Sequence, residues 1–288
     1  MIWEDIRDPN DAKLDELAAK YHLHPLHIED CRHGNQSPKV EHGDGYLFIV
    51  LKPLDLLEDN TLRTSDMDIF LGSDYLITVQ EGDCQNAVKS LDTVLEKKQA
   101  DRADKACYQI MDSIVDSYIP VLDRLDDRID ELEDAVLEDA RPEQLQSIFE
   151  VKRVLLELRR ILVNTRDVSN HLQRIDNELI HPDLQPFLRD IYDHVARNLD
   201  MVETQRDLLG NSLDIYLSSV ANRTNEVMKV LTVLGTIALP AIVVSGIYGM
   251  NFEGIPFMKS PHAPMLVFGL MALSTAALLM YLKTRRYW

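Results

Sequence analysis

From Val230 to Met250 the chain carries no charged residue, and a second uncharged apolar run, Pro264 to Leu282, follows the short gap Phe252 to Ala263. At a rise of 1.5 Å per residue, about 20 helical residues cross roughly 30 Å of hydrocarbon. Each run is therefore read as a membrane helix, and the gap, too short for a domain, makes them a hairpin at the C-terminal end of the chain. The first helix closes in a polar turn, Gly249-Met250-Asn251.

Charge orients the hairpin. Lys283, Arg285 and Arg286 gather just past the second run, and Arg223 and Lys229 flank the start of the first. Basic residues stay on the cytoplasmic side, so both ends of the hairpin, and both termini, are expected there, with Phe252 to Ala263 outside. Met1 to Asp8 lacks the basic start and apolar core of a leader, which places the soluble part in the cytoplasm. Cys31, Cys84 and Cys107 are scattered and odd in number, which suits a reducing compartment and argues against a zinc knuckle. The formal charge of −18 excludes nucleic acid as a partner. It is compatible with cations as partners, although charge alone favours surplus acid that only keeps the protein soluble.

Residues 1–103 read as a cytoplasmic α/β domain. Ile2–Ile6 has a strand pattern, Asp11–Tyr21 and Pro25–Cys31 are short helices, and Tyr46–Leu51 is a continuous apolar run that suits a buried strand. Met67–Leu71 and Tyr75–Val79 flank the turn Gly72-Ser73-Asp74. Strands interspersed with helices predict a mixed sheet covered on at least one face. His22, His24, His27, His33 and His42 lack a fixed ligand spacing, and Pro25 separates the closest pair; a structural or surface role is expected. Residues 104–180 carry apolar residues at helical spacing, interrupted near Asp139-Ala140-Arg141-Pro142, and read as an acidic antiparallel helical pair. The acids from Asp123 to Asp139 read as a solvated face, with a cation-concentrating collar as the alternative.

After His181-Pro182-Asp183, no helix breaker appears between Pro186 and Pro240. One helix is predicted to run from Pro186 to Gly249, roughly 95 Å, within a stalk division over 181–229 and a pore-helix division over 230–250. The remaining divisions are an external loop with the filter turn (251–263), a second membrane helix (264–282) and a basic tail (283–288). So long a helix needs partners for its apolar face, and one hairpin cannot enclose a water-filled path. Both facts imply several copies around an axis. A seam alternating between steps of four and three follows Asp214, Ser218, Ala221, Asn225, Met228, Thr232, Gly235, Leu239, Ile242, Gly246 and Gly249. It is polar at its cytoplasmic end, apolar in the middle, where Leu231 adjoins Met228, and small at its outer end. Apolar rings gate by dewetting and polar rings hold a cation's water shell; a plain helix–helix interface is the alternative.

Tyr248-Gly249-Met250-Asn251, closing the first of two C-terminal membrane helices, resembles the CorA family of divalent-cation channels. The resemblance extends to Asp214-Ile215-Tyr216-Leu217-Ser218-Ser219-Val220, to Arg189-Asp190-Ile191-Tyr192-Asp193-His194 and to His24-Pro25-Leu26-His27-Ile28-Glu29-Asp30, and so covers most of the chain. It implies an α+β cytoplasmic domain, a long stalk helix and a homopentameric funnel in the plasma membrane. It also implies regulatory magnesium bound between subunits at Asp190, which would shut the pore when cytoplasmic magnesium is high. Magnesium is small, hard and slow to shed water, so a filter of Asn251 carboxamides with the Gly249 and Met250 carbonyls suits a hydrated ion. Glu253 stands at the outer mouth. Two departures bear on ion choice: Leu239 and Ile242 stand where the family's seam carries methionine and threonine, and Glu253-Gly254-Ile255-Pro256-Phe257 replaces its Met-Pro-Glu-Leu run. The function expected is passive uptake of magnesium, with cobalt or nickel as further cargo. Zinc transport of the related ZntB type is the alternative. A membrane-anchored enzyme is disfavoured, because the sequence offers no nucleophile–base set, no phosphate loop and no metal-ligand cluster, and no organic cofactor is expected.

Overall fold

The computed structural model describes residues 1–57, 61–81, 85–97, 101–175, 178–250 and 261–284. The chain divides into two compact units, Met1–Asp214 and Ile215–Trp288.

The first unit begins with β1 (Ile2–Ile6), α1 (Ala12–Tyr21), α2 (Pro25–His33), β2 (Lys39–His42), β3 (Tyr46–Leu51), β4 (Leu54–Leu56), β5 (Leu62–Thr64), β6 (Met67–Gly72) and β7 (Tyr75–Gln80). Five strands form one mixed sheet in the order β1-β7-β6-β3-β2, with β1 parallel to β7 and the other pairs antiparallel. Every residue of β3, β6 and β7 is buried. These strands are covered on both faces, which is why they read as unbroken apolar runs. On one face Leu14, Leu17, Ile28 and Cys31 of the two short helices close over Tyr46, Phe48, Phe70, Ile77 and Val79. The β6–β7 turn needs glycine at position 72, since a Cβ there would lie 2.1 Å from the Tyr75 ring. The edge strand β2 and the small β4–β5 hairpin escape the sequence reading, being three or four residues long and only partly apolar.

Next come α3 (Gln85–Lys97), α4 (Ala103–Asp116), α5 (Tyr118–Glu138) and α6 (Pro142–Arg174). The helix expected to run unbroken from Asp104 to the Asp139 turn is instead interrupted at Ser117. The Ser117 N–H is shared between the Ser113 and Ile114 carbonyls, and its hydroxyl donates to Ile114 O at 2.6 Å. Pro120 supplies no N–H in the following turn, and buried Tyr118 is tied to the sheet by its hydroxyl, which donates to Lys52 O at 2.9 Å. Helix α6 ends at Arg174 rather than continuing to Leu179. Helices α5 and α6 pack antiparallel through Leu125, Ile129, Leu132 and Val136 against Ile148, Val151, Leu155 and Leu158.

One α-helix, α7, runs from Gln185 to Tyr248, 64 residues. In the first unit it buries a stripe in steps of three and four: Leu188, Ile191, Val195, Asn198, Val202, Gln205, Leu209 and Ser212. Gln205 donates to Leu122 O at 2.8 Å, and Glu203 is ion-paired with Arg159 of α6. A clasp sets its starting point: the Arg102 guanidinium bonds both Asp104 and Asp183, and Asp104 accepts the His181 N–H at 3.0 Å. Arg102 holds the Asp183 carboxyl well below the usual carboxylate range.

The second unit holds the remainder of α7 and α8 (Ala263–Thr284), both long and apolar enough to cross a membrane. Helix α7 continues through Pro240. Thr224, Thr232 and Thr236 each donate their hydroxyl to the carbonyl four residues back, and Ser274 does the same in α8. Hydroxyls in apolar surroundings are thereby satisfied locally.

Phe70 is fully buried and packs on Phe48 at 4.9 Å between ring centroids. Phe70→Ala is expected to cost about 3–5 kcal/mol, lowering the thermal unfolding midpoint of the detergent-solubilised chain. Phe149→Ala, at an exposed position, is expected to leave that midpoint within about 0.5 kcal/mol of the parent.

Candidate ion path and metal centre

Helices α4 and α7 run side by side in the same direction in the first unit, and their facing residues match turn by turn. Tyr108 and Phe187 are in ring contact at 5.3 Å. One turn on, the carboxylates of Asp112 and Asp190 and the imidazole of His194 bring one ligand atom each within 4.8 Å of one another. His194 Nε2 lies 3.5 Å from Asp190 Oδ2, and its Nδ1 lies 3.5 Å from Asp116 Oδ1. Helical spacing does the positioning: Asp112 and Asp116 are four apart on one helix, Asp190 and His194 four apart on the other, so each pair shares a face. Asp190 is exposed while Asp112 and His194 are half-buried, so the group is open to an ion arriving from water. Burial first, and then the Asp112, Asp190 and Asp116 carboxylates, push the Tyr108 phenol up to about 12.

The donor set fits a divalent cation. Two donors about 2.1 Å from one Mg2+ lie at most about 4.2 Å apart. The present spread thus needs a shift of about half an ångström to close on a bare ion, and holds a hydrated one with less. Carboxylate oxygens suit magnesium, whereas the imidazole also suits cobalt, nickel and zinc. Sequence reasoning singled out Asp190 and missed Asp112, Asp116 and the part played by His194. The available signal was the matched four-residue spacing on two helices, but only their packing shows that the two pairs meet.

The histidines of the N-terminal segment have structural roles. His27 is buried, shares a 2.8 Å hydrogen bond with the Tyr46 hydroxyl, stacks on Phe48 at 4.5 Å and lies 3.1 Å from Glu41. The acids of α5 from Asp123 to Asp139 lie on its exposed or half-exposed side.

The residues of the sequence seam all lie on α7 or its immediate end. Asp214, Ser218, Asn225, Met228, Leu231, Thr232, Gly235, Leu239, Ile242, Gly246 and Gly249 are exposed, as is Met250. The Thr232 hydroxyl donates its proton to Met228 O at 2.7 Å, leaving its oxygen lone pairs for the outside of the helix. The Gly249 N–H closes the helix on Ser245 O at 2.8 Å. Lys283 lies in the last turn of α8. Asn251, Glu253, Arg285 and Arg286 lie outside the described residues, as does the loop from 251 to 260.

Two apolar helices of membrane-crossing length fit a membrane protein. Residues 1–285 match the family described as CorA-like Mg2+ transporter protein, and the chain belongs to that family, whose members are transporters and not enzymes. It is 37% identical over 272 residues to the cobalt/magnesium transport protein CorA of Thermotoga maritima, covering 92% of this chain and 77% of that protein. The complete structure of the CorA magnesium transporter from Methanocaldococcus jannaschii superposes with a TM-score of 0.85 at 28% identity, over 98% of this chain and 89% of that one. The ZntB cytoplasmic domain from Vibrio parahaemolyticus, at 13% identity and a TM-score of 0.60 over 77% of this chain and 87% of its own, shares the fold alone.

The centre is open to direct titration. Asp190→Asn is expected to weaken divalent binding about tenfold or more, since it removes one charged ligand. Protection of the first unit from trypsin against Mg2+ and Co2+ concentration reads the change. An unchanged protection curve returns Asp190 to a plain exposed stalk acid.

Proposed function

We propose that the chain is one subunit of a homopentameric, passive channel that takes up hydrated magnesium, and secondarily cobalt or nickel, across the plasma membrane. The observation that carries this reading is the exposed seam of α7. A helix that buries one stripe within its own subunit presents a second stripe that is polar, then apolar, then small, and that ends at Gly249-Met250. Copies arranged about an axis cover that stripe and line a path with it. Asp214, Ser218 and Asn225 face the entering water column at the cytoplasmic end. Met228, Leu231, Leu239 and Ile242 form the dewetting constriction, and Thr232 lends lone pairs within it. Gly249, Met250 and Asn251 act as the filter and Glu253 as the outer attractor. A negative-inside potential supplies about 2.3 kcal/mol per charge per 100 mV, or about 4.6 for a dication.

The Asp112–Asp190–His194 centre serves as the regulatory site. Bound magnesium there is shared with a neighbouring subunit and holds the pore shut, and its loss when cytoplasmic magnesium falls releases the stalks. A mixed oxygen and imidazole donor set supports cobalt and nickel as regulatory ligands alongside magnesium. The zinc reading rests on a shared fold and on the one imidazole of that centre, which suits zinc as well as cobalt and nickel.

Both termini lie in the cytoplasm, because Lys283, Arg285 and Arg286 stay inside. In a background without native cysteines, Ser260→Cys is expected to react with an impermeant maleimide added from outside; labelling only after permeabilisation overturns this topology. Asn251→Ala is expected to abolish or strongly reduce Mg2+ uptake into vesicles by the purified protein, with unchanged elution from a sizing column. Asn251→Asp is expected to bind cations harder and pass them more slowly, because a carboxylate ring holds a dication that carboxamides release. Transport at the parent rate by the alanine variant makes Asn251 a loop cap and moves the filter elsewhere.

A further inference from the structure

Beneath α2, far along the sequence from the proposed pathway, the central sheet holds a carboxyl group that the transport reading does not use. Asp68 sits in β6 opposite Val50 of β3 and Val79 of β7, on the face that α2 covers, and is 2% exposed. Its Oδ1 has no hydrogen-bond partner. The side chain is bonded to the Cys31 thiol of α2. Burial pushes that thiol up, well beyond neutral pH, so it stays protonated and acts as the donor.

The charged neighbours are all committed elsewhere. Asp66, two residues earlier, receives the Lys52 ammonium on Oδ1 at 2.5 Å and the Gln36 N–H on Oδ2 at 2.6 Å. Lys52 also reaches Asn35 Oδ1 at 3.4 Å. On α2, Asp30 is paired with Lys39 of β2 at 2.6 Å, and Lys39 also bonds Glu41 at 2.8 Å. His27 of α2 lies further along the same face, turned to Tyr46 and Glu41. The neighbouring strand β7 offers only Val79 opposite Asp68. An ionised Asp68 is therefore a buried negative charge beside a second carboxylate, with one weak thiol donor and no cation of its own. Such a group keeps a proton rather than a charge.

We propose that Asp68 is a proton-binding site: its carboxyl exchanges one proton with solvent, and that proton decides how firmly α2 is held on the sheet through Cys31. Burial first, and the Asp66 charge second, raise the carboxyl from its usual value to about 7. The sign follows from linkage. The folded chain keeps the proton where the unfolded chain has lost it, so the stabilisation is complete in acid, declines as pH rises, and is gone once pH passes about 7. Above that point the ionised carboxylate remains in the sheet and its penalty falls on the α2 contact.

Infrared difference spectra of the full-length oligomer in detergent, recorded between pH 5 and pH 8.5, test this directly. The carbonyl stretch of a protonated carboxyl is expected to disappear near pH 7 in the wild type and to be missing in Asp68→Asn. In parallel, hydrogen exchange of α2 amides, corrected for the intrinsic pH dependence, is expected to show a loss of protection across the same window in the wild type and no step in Asp68→Asn. A band that titrates unchanged in Asp68→Asn, or α2 protection that shows the same step in both proteins, overturns the proposal. Should Asp68→Asn fail to assemble, aspartate labelled with 13C at the carboxyl in the wild type decides the matter. A shifted band titrating near pH 7 supports the site, and the absence of any aspartic acid band above pH 6 refutes it.

Discussion

The first unit depends on one helix held along a single buried stripe. Over its first half, α7 buries Leu188, Ile191, Val195, Val202 and Leu209, and those contacts fix its rotation about its own axis there. Once rotation is fixed, the residues of the stripe beside it, Asp190 and His194 included, have no freedom over where they point. The sheet, the α5–α6 pair and the Arg102 clasp all contribute to that single outcome, because each grips the helix or its lead-in. A helix free to turn by 100° would exchange one stripe for the other.

The same rotation creates the acid–imidazole centre. Asp190 and His194 meet Asp112 and Asp116 only because Ile191 and Val195, adjacent in sequence, are buried. The hydrophobic contact stabilises the folded subunit, while the polar residues next to it remain available to a cation from solution. Three carboxylates within reach of one imidazole repel one another, and a divalent ion relieves that repulsion. A divalent ion bound at this candidate centre would therefore be coupled to helix packing by adjacency.

Much of the architecture was legible in the sequence, and the reasons are physical. The membrane runs and the long helix stand out because charge is absent for 20 residues and breakers for more than 50. The strands β3, β6 and β7 stand out because burial on both faces leaves a continuous apolar record. What escaped depended on contacts between distant segments. The Ser117 interruption is set by where Tyr118 anchors to Lys52, 66 positions away. Asp112 gains meaning only from Asp190, and Asp68, a polar residue inside a strand pattern, reads as an interruption until its partner Cys31 is in place. Asp190 itself was singled out by family resemblance, whereas its neighbours follow from helix geometry that no local pattern records.

The hydroxyl bonds along α7 have a mechanical meaning. Thr224, Thr232 and Thr236 each lend a proton to a carbonyl already engaged in the helix ladder, which weakens that rung and favours a bend. Pro240 deletes one rung outright. These four positions fall within 17 consecutive residues, Thr224 to Pro240, whereas the half of the helix gripped by α4, α5 and α6 carries no proline beyond its first turn. Thr204 and Ser212 make the same bond in the gripped half, where packing resists a bend; from 220 to 232 every residue is exposed, so there a weakened rung is free to yield.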